Sequence, residues 1–126
     1  MVKSLAMPLW NLAITSEPYV VLAALSGATA VILGAIGAHR YVRDEVGQEQ
    51  HRIFEIANHY HLVHTLVLLA LPLCRIPFLV ATFMLSGIIL FCGSGYYIAF
   101  TGDRRFRRIT PINGFCFILG WCSMCL

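Results

Sequence analysis

Charge is scarce in this 126-residue chain, where Asp, Glu, Lys and Arg make up 12% of residues and hydrophobic residues make up 59%. A soluble domain usually has about 25% charged residues. A soluble domain of this size buries only part of its surface, so it could not hide so much apolar area from water. The shortage of charge excludes an ordinary soluble domain and indicates a lipid environment.

The sequence also lacks the features of a nucleic-acid-binding protein or a secreted disulfide scaffold. Its net charge is only +3, and most of its basic residues flank apolar runs instead of forming one basic face. The five cysteines are odd in number and lie in or beside apolar runs, where we expect small buried hydrophobic side chains. Cys122 and Cys125 have the spacing of a redox motif. A structural origin is favoured because they end an apolar helix, and a surface pair that oxidises or binds metal is the alternative.

What remains is four apolar runs of membrane length, at residues 19–38, 53–73, 78–100 and 110–126. About 20 apolar residues are needed to cross a hydrocarbon core as a helix. The sequence therefore predicts an all-α integral membrane bundle of four antiparallel transmembrane helices, formed by residues 19–126. Residues 1–18 are expected to be a leader or interfacial segment, because Pro8 and Asn11 interrupt a run that is already short.

Local signals refine this prediction at three places. Thr110 is expected to cap the fourth helix at its N-terminus, with Pro111 at the first helical position. Tyr96 and Tyr97 suit an aromatic belt at the membrane surface. The small residues before Tyr96 indicate close helix packing or a local bend.

Small residues recur every four positions along the first span, which is typical of a helix-packing face in membranes. This stripe consists of Ser26, Ala30, Gly34 and Ala38. A packing surface is favoured over a phosphate-binding role for the glycines, since no strand precedes them and no Gly-rich nucleotide fingerprint is present.

Polar side chains enter the apolar part of the chain mainly at one cluster. Its candidate members are His39, Asn58, His61 and His64. Polar groups at membrane depth usually face the bundle interior or water, so we expect hydrogen bonds between helices. A proton- or ligand-handling site and a metal or haem site are the alternatives, although no carboxylate accompanies the histidines inside the membrane. We therefore expect no metal and no cofactor.

Arginines are concentrated in the loop after the third span, at Arg104, Arg105, Arg107 and Arg108. This loop is expected to set the topology and to contact anionic lipid. By the positive-inside rule, the loops after spans one and three face the cytoplasm, or the matrix in a mitochondrion.

Several short motifs together resemble a known family. They are Gly34-Ala35-Ile36-Gly37-Ala38-His39, Phe54-Glu55-Ile56-Ala57-Asn58 with His61-Leu62-Val63-His64, Leu73-Cys74-Arg75 with Pro77, Leu90-Phe91-Cys92, Tyr96-Tyr97, Thr101-Gly102-Asp103, and Pro111 with Gly114, Gly120 and Trp121. The chain resembles the membrane proteins called transmembrane protein 256, within the wider group known as domain of unknown function 423. Asn113 departs from the pattern, because a second small residue often precedes Gly114 there.

The resemblance implies a four-helix membrane protein with no established catalytic or binding residues, and a mitochondrial inner-membrane location because animal members look mitochondrial. We expect a multi-pass, non-enzymatic accessory subunit or assembly component, with the lipid bilayer and subunits of a larger complex, or copies of itself, as partners. A small transporter or proton-conducting module that uses the histidines is the alternative. A redox or cofactor-binding enzyme is a weaker third hypothesis. The sequence does not identify a substrate or partner.

Overall fold

The structure is a computed structural model that describes residues 9–43, 47–103 and 105–126, with side chains described in residues 17–40, 47–103 and 105–126. The described chain is helical and contains no strand. Its elements are α1 (Leu9–Arg43), α2 (Gln48–Leu69), a 3₁₀ turn (Leu71–Leu73), α3 (Pro77–Gly87), a π segment (Ile88–Cys92), α4 (Gly93–Thr101), α5 (Ile109–Asn113) and α6 (Phe115–Ser123). The elements α3, π segment and α4 form one continuous rod, and α5 with α6 forms the last. The predicted all-α bundle of four helices is confirmed.

Two of the four rods are long and apolar enough to cross a membrane on their own, Glu17–Arg40 and Pro77–Thr101. Their mean hydropathies are 2.2 and 2.0. Helix α2 has 22 residues, which gives about 33 Å of helix, but its first half carries most of the polar side chains. The last rod, Ile109–Ser123, is apolar and shorter.

The first helix begins earlier than the sequence predicts. Residues 9–18 are continuous with the span in a single 35-residue helix that contains Pro18, whereas a separate segment was expected up to residue 18. A helix of this length extends about 52 Å, well beyond a hydrocarbon core of about 30 Å. The helix therefore continues past the membrane on at least one side. Residues 1–8 of the expected leader lie outside the described residues.

Helices α1 and α2 pack through small residues on α1. Ala30 is fully buried, Gly34 lies against the Asn58 side chain, and a Cβ at Gly37 would collide with the outer edge of the Phe54 ring. Ala38, the last predicted member of the small-residue stripe, is exposed, and Gly37 is buried against α2 in its place. A four-residue repeat turns about 40° per step around a helix, so three steps carry Ala38 about 120° away from Ser26. Eleven residues close three turns and bring Gly37 back to the same face.

The π segment divides the third rod into two halves with different neighbours. Helix α3 packs on α6, while α4 packs on α2. Helix α4 then ends at Gly102, which has the left-handed φ of 72° and donates its N–H to the Ile98 carbonyl across 2.8 Å. A single rod therefore contacts the second span at one end and the fourth span at the other.

The start of the fourth rod differs from the prediction that Thr110 is an N-cap. Thr110 lies inside α5, whose N-cap is Arg108 with no side-chain capping bond. The Thr110 hydroxyl instead donates to the Phe106 carbonyl across 2.8 Å and pairs with the Ser94 hydroxyl across 2.9 Å. The Phe106 carbonyl, in the turn at residues 105–108, already accepts from the backbone N–H groups of Ile109 and Thr110. The start of the helix therefore does not need the Thr110 hydroxyl as a cap, and this hydroxyl links the third and fourth rods.

Candidate functional site

The polar residues of the bundle meet where α2 faces α1 and α4. Asn58, His61 and Thr65 follow each other at spacings of three and four residues, which places them on one face of α2. His61 and Thr65 are buried, and Asn58 is half-buried. Ser26 of α1 and Tyr96 of α4 complete a set that we call the polar core: Ser26, Asn58, His61, Thr65 and Tyr96.

Hydrogen bonds connect the polar core across three helices. The Asn58 amide donates to the Ala30 carbonyl across 2.9 Å and to the Tyr96 hydroxyl across 3.0 Å. The Tyr96 hydroxyl also lies 3.0 Å from Nδ1 of His61. On the other side of the ring, Nε2 of His61 lies 3.1 Å from the Ser26 hydroxyl.

The polar core ends in a hydroxyl pair. The Ser26 and Thr65 hydroxyls lie 2.6 Å apart, and the Thr65 hydroxyl donates to the His61 carbonyl across 2.7 Å. Because a carbonyl can only accept, the single Thr65 hydrogen is used there. Thr65 must therefore accept from Ser26, and Ser26 must accept from His61.

This assignment determines the tautomer of His61. Its Nε2 carries the hydrogen that Ser26 accepts, so in the neutral ring Nδ1 is bare and accepts the Tyr96 hydroxyl hydrogen. The Tyr96 oxygen in turn accepts from Asn58. Hydrogens are then donated in one direction from Asn58 through Tyr96, His61 and Ser26 to Thr65, whose own hydrogen returns to the backbone of His61. The second Asn58 amide hydrogen goes to the Ala30 carbonyl.

His64 forms a second polar junction, between the second and fourth rods. Its Nδ1 lies 2.7 Å from the Tyr60 carbonyl, and its Nε2 lies 3.1 Å from the indole Nε1 of Trp121. The carbonyl can only accept and the indole N–H can only donate. His64 is therefore the neutral Nδ1–H tautomer, the opposite of His61.

Aromatic rings pack around His64. Its ring stacks on Phe117 with centroids 3.7 Å apart and on Tyr60 with centroids 5.7 Å apart. Phe91 lies against Tyr60 and Phe117 at 5.0 and 5.7 Å. This packing restrains the imidazole and joins α2 to the π segment and α6.

The structure separates His39 from the other members of the predicted cluster. His39 is exposed near the end of α1, and no described residue forms a hydrogen bond with it. Asn58 and His61 lie together in the polar core, while His64 faces the fourth rod. Tyr96, expected at the membrane surface, is instead 8% exposed and links Asn58 to His61. The sequence signal for the burial of Tyr96 was the preceding residue, Gly95, whose missing side chain lets α4 approach Ala57.

The arrangement satisfies the buried polar side chains of the described residues. No buried side-chain nitrogen or oxygen in this part of the chain lacks a hydrogen-bond partner. No group of three or more His, Cys, Asp or Glu side chains within it is placed to hold a metal ion. A ligand at either His61 or His64 would have to replace an existing hydrogen bond.

The basic loop lies at the same end of the bundle as the start of α2. Arg107 pairs with Glu49 across 3.0 Å, and Arg105 and Arg108 are exposed. Arg104 lies outside the described residues. From α1, Arg40 donates to the Phe100 carbonyl across 2.8 Å, close to the C-terminal end of α4. The loops after the first and third spans therefore lie side by side, and their cytoplasmic or matrix orientation stays a prediction.

The five cysteines are free thiols. Cys92 is buried in the third rod, while Cys122 and Cys125 are exposed at the end of the fourth. Neither placement brings a cysteine into the polar core.

The fold and the polar core together define a multi-pass helical membrane protein whose intramembrane polar groups are used in contacts between helices. Residues 33–114 match the family described as protein of unknown function DUF423, and the chain belongs to this family. The resemblance found in the sequence is thereby confirmed.

Curated relatives from bacteria cover nearly the whole described bundle. A UPF0382 membrane protein of Staphylococcus epidermidis is 35% identical over 108 residues, which span 82% of this chain and 88% of the relative. The UPF0382 inner membrane protein YgdD of Escherichia coli strain K12 is 33% identical over 116 residues, which span 87% and 88%. The UPF0382 membrane protein SSP2132 of Staphylococcus saprophyticus is 34% identical over 109 residues, which span 82% and 89%. No solved structure matches the chain significantly.

Proposed function

We propose that the chain is a non-enzymatic accessory subunit or assembly component of a larger membrane complex. The observation that carries this proposal is the closed hydrogen-bond circuit of the polar core. The side-chain donors of Asn58, Tyr96, His61 and Ser26 are engaged between helices, and the Thr65 hydroxyl donates within α2 to the His61 carbonyl. These residues therefore hold the bundle together and expose no reactive group.

The first helix supplies the surface that such a subunit needs. In its most apolar stretch only 17% of residues are buried within the bundle, compared with 39% in the third rod. Its outward side carries large apolar residues, including Leu25 at 64% exposed and Val31 at 64% exposed. The small-residue face, together with Tyr19 and Leu33, packs inside the protein, and the outward side remains for lipid or for another subunit.

Native gel electrophoresis of gently solubilised membranes tests the proposal, with mass spectrometry along the lane. We expect the chain to migrate with a much larger assembly. Val31→Trp should release it from that assembly, while Phe78→Trp, at an even more exposed apolar position on α3, should not. Migration of the wild-type chain by itself or as a small homo-oligomer would refute the accessory role.

A second function, a small transporter or proton-conducting module, is supported by one observation. Exchangeable hydrogens follow one another without a gap from Asn58 through Tyr96, His61 and Ser26 to Thr65. Chains of this kind occur in proton relays. The circuit returns to the backbone of His61 instead of running towards two membrane surfaces, and for that reason we rank this function second.

Proton flux into liposomes that hold the purified protein and a pH-sensitive dye separates the two functions. Under the transport hypothesis, Thr65→Val interrupts the chain and abolishes the flux, whereas Thr82→Val, at an exposed threonine of α3, does not. Under the accessory hypothesis neither wild type nor variant conducts.

We also propose a mitochondrial inner-membrane location. The Escherichia coli relative is named an inner membrane protein, and the mitochondrial part of the proposal depends on the sequence resemblance alone. Fractionation of cells that express the tagged chain tests it, and co-purification with another membrane would reject it.

A further inference from the structure

A cleft opens on the side of the bundle away from the polar core, where the start of α2 meets α4 and α5. Its volume is about 390 Å³, within the range of pockets that hold small ligands. Its apolar walls are formed by Ile53, Ile56, Ala57, Phe91, Gly95 and Ile98. None of these side chains belongs to the hydrogen-bond circuit.

The floor of the cleft is the closest approach of two helices. A Cβ on Gly95 would lie 2.8 Å from the Cβ of Ala57, so the two backbones nearly touch there. Larger side chains stand on both sides of this contact, and Ile56 is 41% exposed. The cleft therefore opens sideways, in the direction from which a lipid would enter.

Polarity changes along the cleft in a fixed direction. Residues 49–57 of α2 run from the loop end into the membrane, and residues 98–91 of the third rod run the same way because the two rods are antiparallel. The charged lining residues, Glu49, Arg52 and Arg107, all lie at the loop end. Apart from Thr110, whose hydroxyl is bonded to Phe106 and Ser94, the deeper lining is apolar, and this order of polarity matches that of a phospholipid.

The charges at the mouth favour an anion. Glu49 pairs with Arg107 across 3.0 Å, so its carboxylate offsets one guanidinium. Arg52 is exposed, and no described residue forms an ion pair or hydrogen bond with its guanidinium. One cation is left in excess, and a guanidinium can bind a phosphate with two parallel hydrogen bonds.

We propose that this cleft binds one anionic phospholipid, with the phosphate at Arg52 and Arg107 and an acyl chain along Ile53, Ile56 and Phe91. The lipid is a structural ligand of the loop end of the bundle. It covers apolar surface that the four rods leave open and neutralises the excess charge at the mouth.

Native mass spectrometry of the full chain tests the proposal, with phosphatidylglycerol and phosphatidylcholine of identical acyl chains offered in equal amounts. We expect the wild type to retain phosphatidylglycerol about tenfold over phosphatidylcholine. Arg52→Gln should lower this preference several-fold, and Arg52→Lys should keep most of it because the charge remains. Ile56→Trp, which fills the cleft, should reduce retention of phosphatidylglycerol.

Arg75→Gln is the matched control, because Arg75 is also exposed but lies in the loop at the opposite end of the bundle. It should leave the headgroup preference unchanged. An equal loss in Arg75→Gln and Arg52→Gln, or no headgroup preference in the wild type, would overturn the proposal. So would full retention of the lipid by Ile56→Trp. Circular dichroism of the same samples measures their helicity. If Arg52→Gln has lost its helical structure, the lipid retention of Arg52→Lys and Ile56→Trp tests the proposal in its place.

Discussion

The indole N–H of Trp121 donates to Nε2 of His64 across 3.1 Å and thereby ties the last helix to the second. The same ring nitrogen cannot carry a hydrogen of its own, because two donors would then face each other. The bond therefore fixes both the position of Trp121 and the protonation of His64. A tryptophan near the end of an apolar helix, which suits a membrane surface, serves here as a link within the bundle.

Trp121→Phe removes this donor while it keeps an aromatic ring against His64. We expect a loss of about 1 kcal/mol in the free energy of unfolding, the usual range for a hydrogen bond between membrane helices. Unfolding by SDS in mixed micelles measures it. Phe78→Leu, at a residue 78% exposed on α3, is the control and should change little. Equal stability of Trp121→Phe and wild type would contradict a bonding role for the indole.

The two buried histidines should show opposite neutral tautomers. His61 is expected to carry its hydrogen on Nε2, and His64 on Nδ1, because of the donors and acceptors that face each ring. The ¹⁵N shifts of the imidazole rings, recorded in micelles, distinguish the two forms. Tyr96→Phe should alter the shifts of His61 and leave those of His64 in place. Identical tautomers in the wild type would disprove the assignment.

Two glycines of α4 that lie two residues apart should respond differently to alanine. A Cβ at Gly95 would meet the Cβ of Ala57 at 2.8 Å, and Ala57 has no rotamer that could move away, so the helices must separate. We expect Gly95→Ala to cost about 1–3 kcal/mol. A Cβ at Gly93 would have no neighbour within 4 Å, so Gly93→Ala should be neutral or stabilising. The same SDS titration measures both, and a neutral Gly95→Ala would contradict this packing.

Asp103 should titrate below its ordinary range. The backbone N–H of Arg105 donates to the Asp103 carboxylate, and this bond has the largest effect on the pKa of Asp103. The Tyr97 hydroxyl and the Arg105 guanidinium lower the pKa of Asp103 further. A lowered folded pKa means that these contacts stabilise the folded loop above the unfolded pKa of about 3.9, and that this contribution disappears as pH falls through the folded pKa. Carboxyl ¹³C shifts against pH give the value.

Tyr97→Phe removes one of the donors to Asp103 and should raise its pKa towards the ordinary value. Ser94→Ala changes a hydroxyl of the same helix that does not contact Asp103, and should leave the titration unchanged. If Asp103 titrates at or above 3.9 in the wild type, the loop does not have these contacts in solution.

Much of the fold could be predicted because lipid imposes simple requirements on a chain. The lengths of the apolar runs predicted four rods, and α3 begins at Pro77, next to the predicted start of the third run at residue 78. The predicted first span, residues 19–38, did not indicate that α1 begins at Leu9. Pro8 and Asn11 interrupt the short apolar run before the span, but a helix can still continue through residues 9–18.

The polar core was only half visible in the sequence. Asn58, His61 and His64 are recognisable as polar residues within apolar surroundings. Tyr96 is not, because a tyrosine near a span end fits the membrane surface equally well. Its burial depends on the direction that α4 faces, and this direction is set by the π segment, for which the residues Ile88–Cys92 give no distinct signal.

The π segment also makes the contacts of the third rod depend on the number of residues in it more than on its length in ångströms. Removing one residue between Ile88 and Cys92 would shorten the rod by only about 1.5 Å, a change that a bilayer tolerates. It would also turn everything beyond that point by about 100° and rotate the Tyr96 hydroxyl out of the reach of Asn58 and His61. Within this family, insertions and deletions in that stretch should therefore be far rarer than substitutions, whatever the hydrophobicity of the residues involved.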